Sequence, residues 1–202
     1  MKNIKEKKER ALGTKLFLKA DRCSSPKCAT IRRATKPGAH GDKRKGAPSE
    51  YGIQLGEKQK MQIIYGLSGR QMANLFKEHA DKNAILKTLE NRLDRIVFLL
   101  GFAKSPRIAR QMVSHGHIVV NGKKVTIPSY NPKVGDTISV REESRKQRTF
   151  EDMANRLKQY TPPAWLRTKD IWSGEAVKEP EIEAGGVHAF DINLIGEFYA
   201  RR

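Results

Sequence analysis

The stretch from Ser105 to Val140 constrains the fold more tightly than any other part of the chain. Ser105-Pro106 sets a capping hydroxyl before a proline at the first helical position, and both are strong helix starts. Ile108, Ala109, Met112 and Val113 repeat on one face, and Gly116 supplies the stop. Ile118-Val119-Val120 reads as a strand. Asn121-Gly122 is the preferred pair for a type I′ hairpin, with Lys123 to Ile127 running back. Pro132 and Gly135-Asp136 mark turns before a last strand over 137–140. Upstream, Ile85, Leu86, Leu89, Leu93, Ile96, Val97 and Leu100 predict one helix from Asp81 to Leu100, stopped by Gly101. Residues 92–141 are therefore expected to form two helices packed on a small antiparallel sheet.

The flanks read differently. Residues 1–48 carry Pro26, Pro37, Gly38, Gly41, Gly46 and Pro48 among Lys and Arg, which predicts a loop-rich arm with one short helix, anchored by Leu16-Phe17-Leu18. Ser49 and Ser68 are N-caps for two helices, the first running to Gly66 and the second carrying Met72, Leu75 and Phe76. Residues 142–160 are charged and expected to be helical, with Phe150, Met153 and Leu157 as anchors. Pro162-Pro163 breaks them, and Trp165, Leu166, Ile171 and Trp172 are packing residues. Asp191 to Tyr199 predicts a terminal helix whose aromatics need a surface to pack on. The expected class is α+β: a basic arm over 1–48, an all-α domain over 49–91, an inserted module with its trailing helix over 92–160, and a tail over 161–202 that packs back on the helical domain.

Charge narrows the partners. The 202 residues hold 40 Lys and Arg against 22 Asp and Glu, a formal net charge of +18. Residues 1–48 hold 15 basic and 4 acidic residues, 49–169 hold 22 and 11, and 170–202 hold 3 and 7. A balance this positive calls for a polyanion, by default nucleic acid. No run of about 18 apolar residues exists to span a membrane, and the charged start lacks the apolar core of a secretory signal. Two cysteines do not make a disulfide scaffold, so a soluble intracellular protein is expected.

The residues expected to meet RNA follow from charge and placement. In the module they are Arg92, Lys104, Arg107, Arg110, Lys123 and Lys124, with Ser114, His115 and Gly116 in one loop and Asn121 in the hairpin turn. In the arm they are Arg10, Lys15, Arg22, Arg32, Arg33 and Lys36, followed by Lys43, Arg44 and Lys45. Gly38 and His40 form a tight turn that lets backbone approach an anion. The helical domain adds Lys58, Lys60 and Arg70, with Tyr51 and Tyr65 as base-stacking candidates. No Walker loop, zinc-protease motif or Ser/His/Asp pattern is present, and His40 has no partner nucleophile, so no enzyme and no small-molecule substrate is expected.

Residues 92–140, from Arg-Leu-Asp-Arg-Ile-Val-Phe-Leu-Leu-Gly-Phe-Ala through Val-Ser-His-Gly-His-Ile-Val-Val-Asn-Gly-Lys-Lys-Val to Gly-Asp-Thr-Ile-Ser-Val, resemble the small RNA-binding domain named after ribosomal protein S-four. Lys36-Pro37-Gly38-Ala39-His40-Gly41, Pro48-Ser49-Glu50-Tyr51-Gly52-Ile53-Gln54-Leu55, Glu57-Lys58-Gln59-Lys60, Pro163-Ala164-Trp165-Leu166 and Asp191 to Tyr199 are similar to the bacterial-type small-subunit S-four family itself. The resemblance implies a structural ribosomal protein that binds small-subunit rRNA at a helix junction in the 5′ domain and nucleates assembly. It also implies ribosomal protein S-five as a neighbour, a place near the mRNA entrance and an effect on decoding accuracy. A ribosome-bound location follows, in a bacterial cytoplasm or an organelle. An RNA-modifying enzyme or a free RNA-binding regulator built on the same module is the alternative.

Two positions depart from the family pattern: Ala39 stands where glutamine is usual, and Gly56 where arginine precedes Glu-Lys-Gln-Lys. Arg92-Leu93-Asp94 resembles the catalytic motif of pseudouridine synthases, but inside a helix Asp94 is expected to pair with a nearby cation. Cys23 and Cys28 match the second half of the zinc site of metal-bearing members, while the spacing of the upstream pair falls on Glu6 and Glu9. Structural zinc takes four Cys or His ligands. The expectation is therefore no cofactor, with Cys23 and Cys28 as weak metal candidates and two reduced thiols.

Overall fold

The computed structural model describes residues 4–23, 25–41, 46–147, 150–151, 153–158, 160–180 and 189–201. The chain divides into two units, residues 1–85 with 184–202 and residues 86–183.

In the first unit the arm holds three short helices, α1 (Ile4–Leu12), α2 (Ala20–Cys23) and α3 (Ala29–Arg32), where one was expected. Burial of Leu16, Leu18, Cys23 and Cys28 gives these turns a small core of their own. Phe17, between the two leucines, is exposed and takes a φ of +52°. The long helix α4 (Glu50–Tyr65) starts at Ser49, whose Oγ accepts from the Gly52 N–H at 3.3 Å, and ends on left-handed Gly66. α5 (Gly69–Glu78) opens with a full capping box. The Gln71 N–H donates to Ser68 Oγ at 3.2 Å and the Ser68 N–H to Gln71 Oε1 at 2.9 Å. The terminal helix α10 (Ile192–Ala200), capped by Asp191, returns to α4 and α5 as expected. Phe76 stacks on Tyr199 at 4.7 Å, and the Gln54 side chain donates to Glu197 at 3.1 Å.

The second unit begins within α6 (Lys82–Glu90). The single helix expected over 81–100 is two, because the chain turns at Asn91-Arg92 before α7 (Leu93–Leu99). The first N–H groups of a helix lack internal acceptors. Here Leu93 donates to the Tyr130 carbonyl at 2.7 Å and Asp94 to the Pro128 carbonyl at 3.2 Å. The same bonds draw the returning strand away from the sheet. β2 is therefore only Lys123–Lys124, shorter than the expected 123–127. α8 (Pro106–Ser114) is capped by Ser105, and Asn121 and Gly122, with φ of +49° and +77°, make the type I′ turn.

β1 (Ile118–Val120) and β3 (Thr137–Val140) pair with Ile118 opposite Val140. β4 (Leu166–Asp170) and β5 (Ser173–Ala176) extend this sheet, giving the antiparallel order β2-β1-β3-β5-β4. Residues 161–202 are thus not one tail. The segment up to 183 belongs with the module and only the end rejoins the helical unit. The helix expected over 142–160 is a 3₁₀ turn (Glu142–Ser144) and one short helix, α9 (Met153–Leu157). Both helices and the sheet enclose Leu93, Ile96, Leu100, Phe102, Met112 and Ile138, with Phe150, Met153 and Trp165 closing the core. Ile171, expected to pack, is exposed. No helix among the described residues is long and apolar enough to cross a membrane.

Candidate nucleic-acid interface

The module displays its cations along α8 and on the first hairpin. Arg107 is exposed on α8, and Arg110, one turn on, is partly exposed with its guanidinium 3.6 Å from Asp94. Ser114 and His115 are exposed where α8 stops, and the Ser114 hydroxyl donates to the Arg110 carbonyl at 2.9 Å. Gly116 takes a φ of +75° with the Lys124 side chain laid against it, so a Cβ would fall 2.2 Å from Lys124 Cε. This brings Lys124 beside the Ser114-His115-Gly116 loop, with exposed Lys123 next to it. Lys104 is partly buried. His117 sits behind the loop, its Nδ1 2.9 Å from Ser144 Oγ and its ring 6.0 Å from that of His115. Burial, helped by the charges of His115, Arg141 and Lys124, lowers its pKa.

Three expected contact residues already hold partners within the fold. Arg92 is 8% exposed and forms a bidentate pair with Asp94 at 3.0 and 2.8 Å, so its charge is spent inside the fold. Asn121 donates to Asp136 at 2.8 Å and accepts from the Thr137 N–H at 2.9 Å, which ties the hairpin turn to β3. Tyr65 is 5% exposed and lies edge-on to Phe190 at 6.1 Å, leaving no face for a base. Sequence patterns register a cation or an aromatic ring but not whether a neighbour has already taken it.

The first unit carries the rest. Arg10 donates to the carbonyls of Arg33 and Thr35 at 2.8–3.2 Å, and Arg22 pairs with Glu6 at 3.1 Å. Lys15, Arg32, Arg33, Lys36, Gly38 and His40 are exposed. Gly38 has a φ of +115°. A Cβ on Gly41 would lie 1.9 Å from the Lys36 carbonyl oxygen, so the turn between them closes only with glycine. The Gly41 N–H is used within that turn, donating to the Gly38 carbonyl at 3.2 Å. Lys43, Arg44 and Lys45 lie outside the described residues. On α4, Lys60 pairs with Glu57 at 2.6 Å, Lys58 Nζ lies 4.4 Å above the Phe198 ring, and half-exposed Tyr51 leans on Phe198 at 5.6 Å. Arg70 is exposed on α5. Lys7 and Lys27, absent from the sequence-based set, are exposed on the arm among these cations. Only the local density of positive charge hinted at them.

Cys23 and Cys28 lie in the core of the arm. Glu9, 1% exposed, accepts from the N–H groups of Leu16 at 3.0 Å and Leu18 at 3.2 Å, with Cys23 Sγ 3.8 Å away. Glu6 is turned to Arg22 and Lys19. Cys28 Sγ meets Thr30 Oγ1 at 2.8 Å, a bond that lowers its pKa, while burial raises that of Cys23. Glu9 is thus engaged by amide donors and Glu6 by cations. No group of three or more His, Cys, Asp or Glu among the described residues is arranged to hold a metal ion.

Two family models match the chain: the S4 domain over residues 91–138, and the ribosomal protein S4/S9 N-terminal domain over residues 1–96. The small ribosomal subunit protein uS4 of Syntrophomonas wolfei is 51% identical over 195 residues, covering 94% of this chain and 93% of that protein. The proteins of the same name from Thermus thermophilus and Natranaerobius thermophilus are each 44% identical, over 198 and 195 residues, with the same coverage. The chain belongs to the small ribosomal subunit protein uS4 family. The uS4 family is one of structural proteins, not enzymes, and the geometry around Asp94 agrees. Its carboxylate is enclosed and paired with Arg92, with Arg110 alongside, and does not stand at an open site.

Proposed function

We propose that this chain is a structural constituent of the small ribosomal subunit that binds small-subunit rRNA through both units. The reading places it, ribosome-bound in the cytoplasm, at a helix junction in the 5′ domain. There it would hold RNA helices together for later proteins, beside ribosomal protein S-five near the mRNA entrance, and influence decoding accuracy. The observation that carries the reading is the family match along nearly the whole chain, joined to a module that exposes Arg107 on α8 and His115, Lys123 and Lys124 on its loop and hairpin. Such groups grip sugar–phosphate backbone and recognise shape more than sequence. Two linked contact regions raise the effective affinity of each. Hydroxyl-radical footprinting on a 5′-domain transcript tests the site. Protection at a helix junction supports it, and protection absent from that domain overturns it.

The same reading holds that the arm folds without zinc, with Glu9 supplying by hydrogen bonds what a metal supplies in other members. Stoichiometric zinc retained after extensive dialysis would refute this.

A further inference from the structure

We propose that the arm contains a phosphate-binding cleft in which Lys7 and Lys27 are the principal RNA-backbone contacts. The cleft, of about 490 Å³, opens between α1, α3 and the Gly38 turn. Among the described residues six cations line it: Lys7, Arg10, Arg22, Lys27, Arg32 and Arg33. Among the described residues the one carboxylate lining it is that of Glu6, which pairs with Arg22 at 3.1 Å and Lys19 at 3.7 Å. Arg10 and Arg22 form the walls, since Arg10 holds the Arg33 and Thr35 carbonyls and Arg22 also donates to the Lys27 carbonyl at 3.2 Å. Hydrogen bonds to carbonyls fix both guanidinium groups; those of Arg10 leave its charge in place, while Arg22 also meets Glu6. The cleft therefore carries an excess of several positive charges within about one Debye length, and they repel one another until an anion enters.

The ligand chemistry follows from what else lines the space. Among the described residues no aromatic side chain does, so none of them offers a ring for a base to stack on. Gly38 at the rim adds no side chain to block approach. A concave, ring-free, cationic surface suits the phosphodiester backbone of folded RNA. Lys7 and Lys27 are exposed, and each brings a mobile point charge to it.

This inference rests on the rRNA-binding reading, and the test separates the two. Binding of the full chain to a 5′-domain transcript is measured from roughly 50 to 200 mM salt for wild type, the double variant Lys7→Gln/Lys27→Gln and the double variant Lys7→Arg/Lys27→Arg. Each lost phosphate contact lowers the salt slope by about one, so the glutamine variant should lose about tenfold less affinity across that range than wild type. The arginine variant, with its charge kept, should stay close to wild type. If wild type binds and the glutamine variant matches it in affinity and slope, or the arginine variant falls as far as the glutamine one, the cleft assignment is overturned while rRNA binding stands. If wild type itself fails to bind, the broader reading falls. Lysine acetylation of the wild-type complex checks the point without any variant: Lys7 and Lys27 should be shielded by the transcript, and unchanged labelling contradicts the assignment.

Discussion

Arg92 and Arg107 carry the same charge and do different work. Arg92 and Asp94 are both enclosed, and removing one member of a buried pair leaves the other uncompensated. Arg92→Gln should therefore destabilise the second unit by about 3 kcal/mol. The chain's two tryptophans, Trp165 and Trp172, both belong to that unit, so urea unfolding followed by their fluorescence reports the loss. Arg107→Gln should leave that transition in place and weaken rRNA binding several-fold instead. His117 gives the unit a pH dependence. Its folded pKa lies below the ordinary value of 6.5, so the unfolded chain takes up a proton that the folded unit refuses. Stability should fall as pH drops from about 6.5, level off beneath the folded value, and lose this dependence in His117→Asn. The sequence made every one of these residues visible as a type. What it hid was pairing: nothing in Arg92-Leu93-Asp94 distinguishes a ligand-facing arginine from one folded back on its neighbour.

Helices announced themselves through their ends. The caps at Ser49, Ser68 and Ser105 all act as their sequence context predicts, because capping is a local interaction. The break at Asn91-Arg92 and the shortening of β2 were illegible, since both are made by carbonyls of residues 128 and 130, far along the chain. β4 and β5 were missed for a related reason: Leu-Arg-Thr-Lys-Asp has little alternation, and its strand character comes from pairing with β5 and through it with β3. Gly174 tests that placement. A Cβ there would lie 2.6 Å from Leu100 Cδ2 and 3.1 Å from the Arg167 carbonyl oxygen. Gly174→Ala should cost about 1–3 kcal/mol by overpacking, read by the same tryptophan transition. An unchanged midpoint would detach this hairpin from the core. Gly56 offers the opposite case, a helical glycine whose Cβ would meet nothing within 4 Å. Gly56→Arg should stabilise α4 by about 1 kcal/mol, seen as a raised circular-dichroism melt, and should strengthen rRNA binding by one added cation.

Across the whole chain, the net charge of +18 resolves into distinct parts. The arm spends Arg10 and Arg22 on its own architecture and keeps Lys7, Lys27, Arg32 and Arg33 outward. The module keeps Arg107, Lys123 and Lys124 outward and encloses Arg92. The acidic excess over residues 170–202 suits a protein neighbour better than phosphate. With roughly 6–10 phosphates met in total, rRNA affinity should drop by about three to five decades between 50 and 200 mM salt. A charge distributed in this way suits one large RNA particle, and sedimentation measures that association. The full chain is layered with small ribosomal subunits on a sucrose gradient at moderate salt. The chain should travel in the small-subunit peak; a chain that stays at the top of the gradient contradicts a ribosomal role.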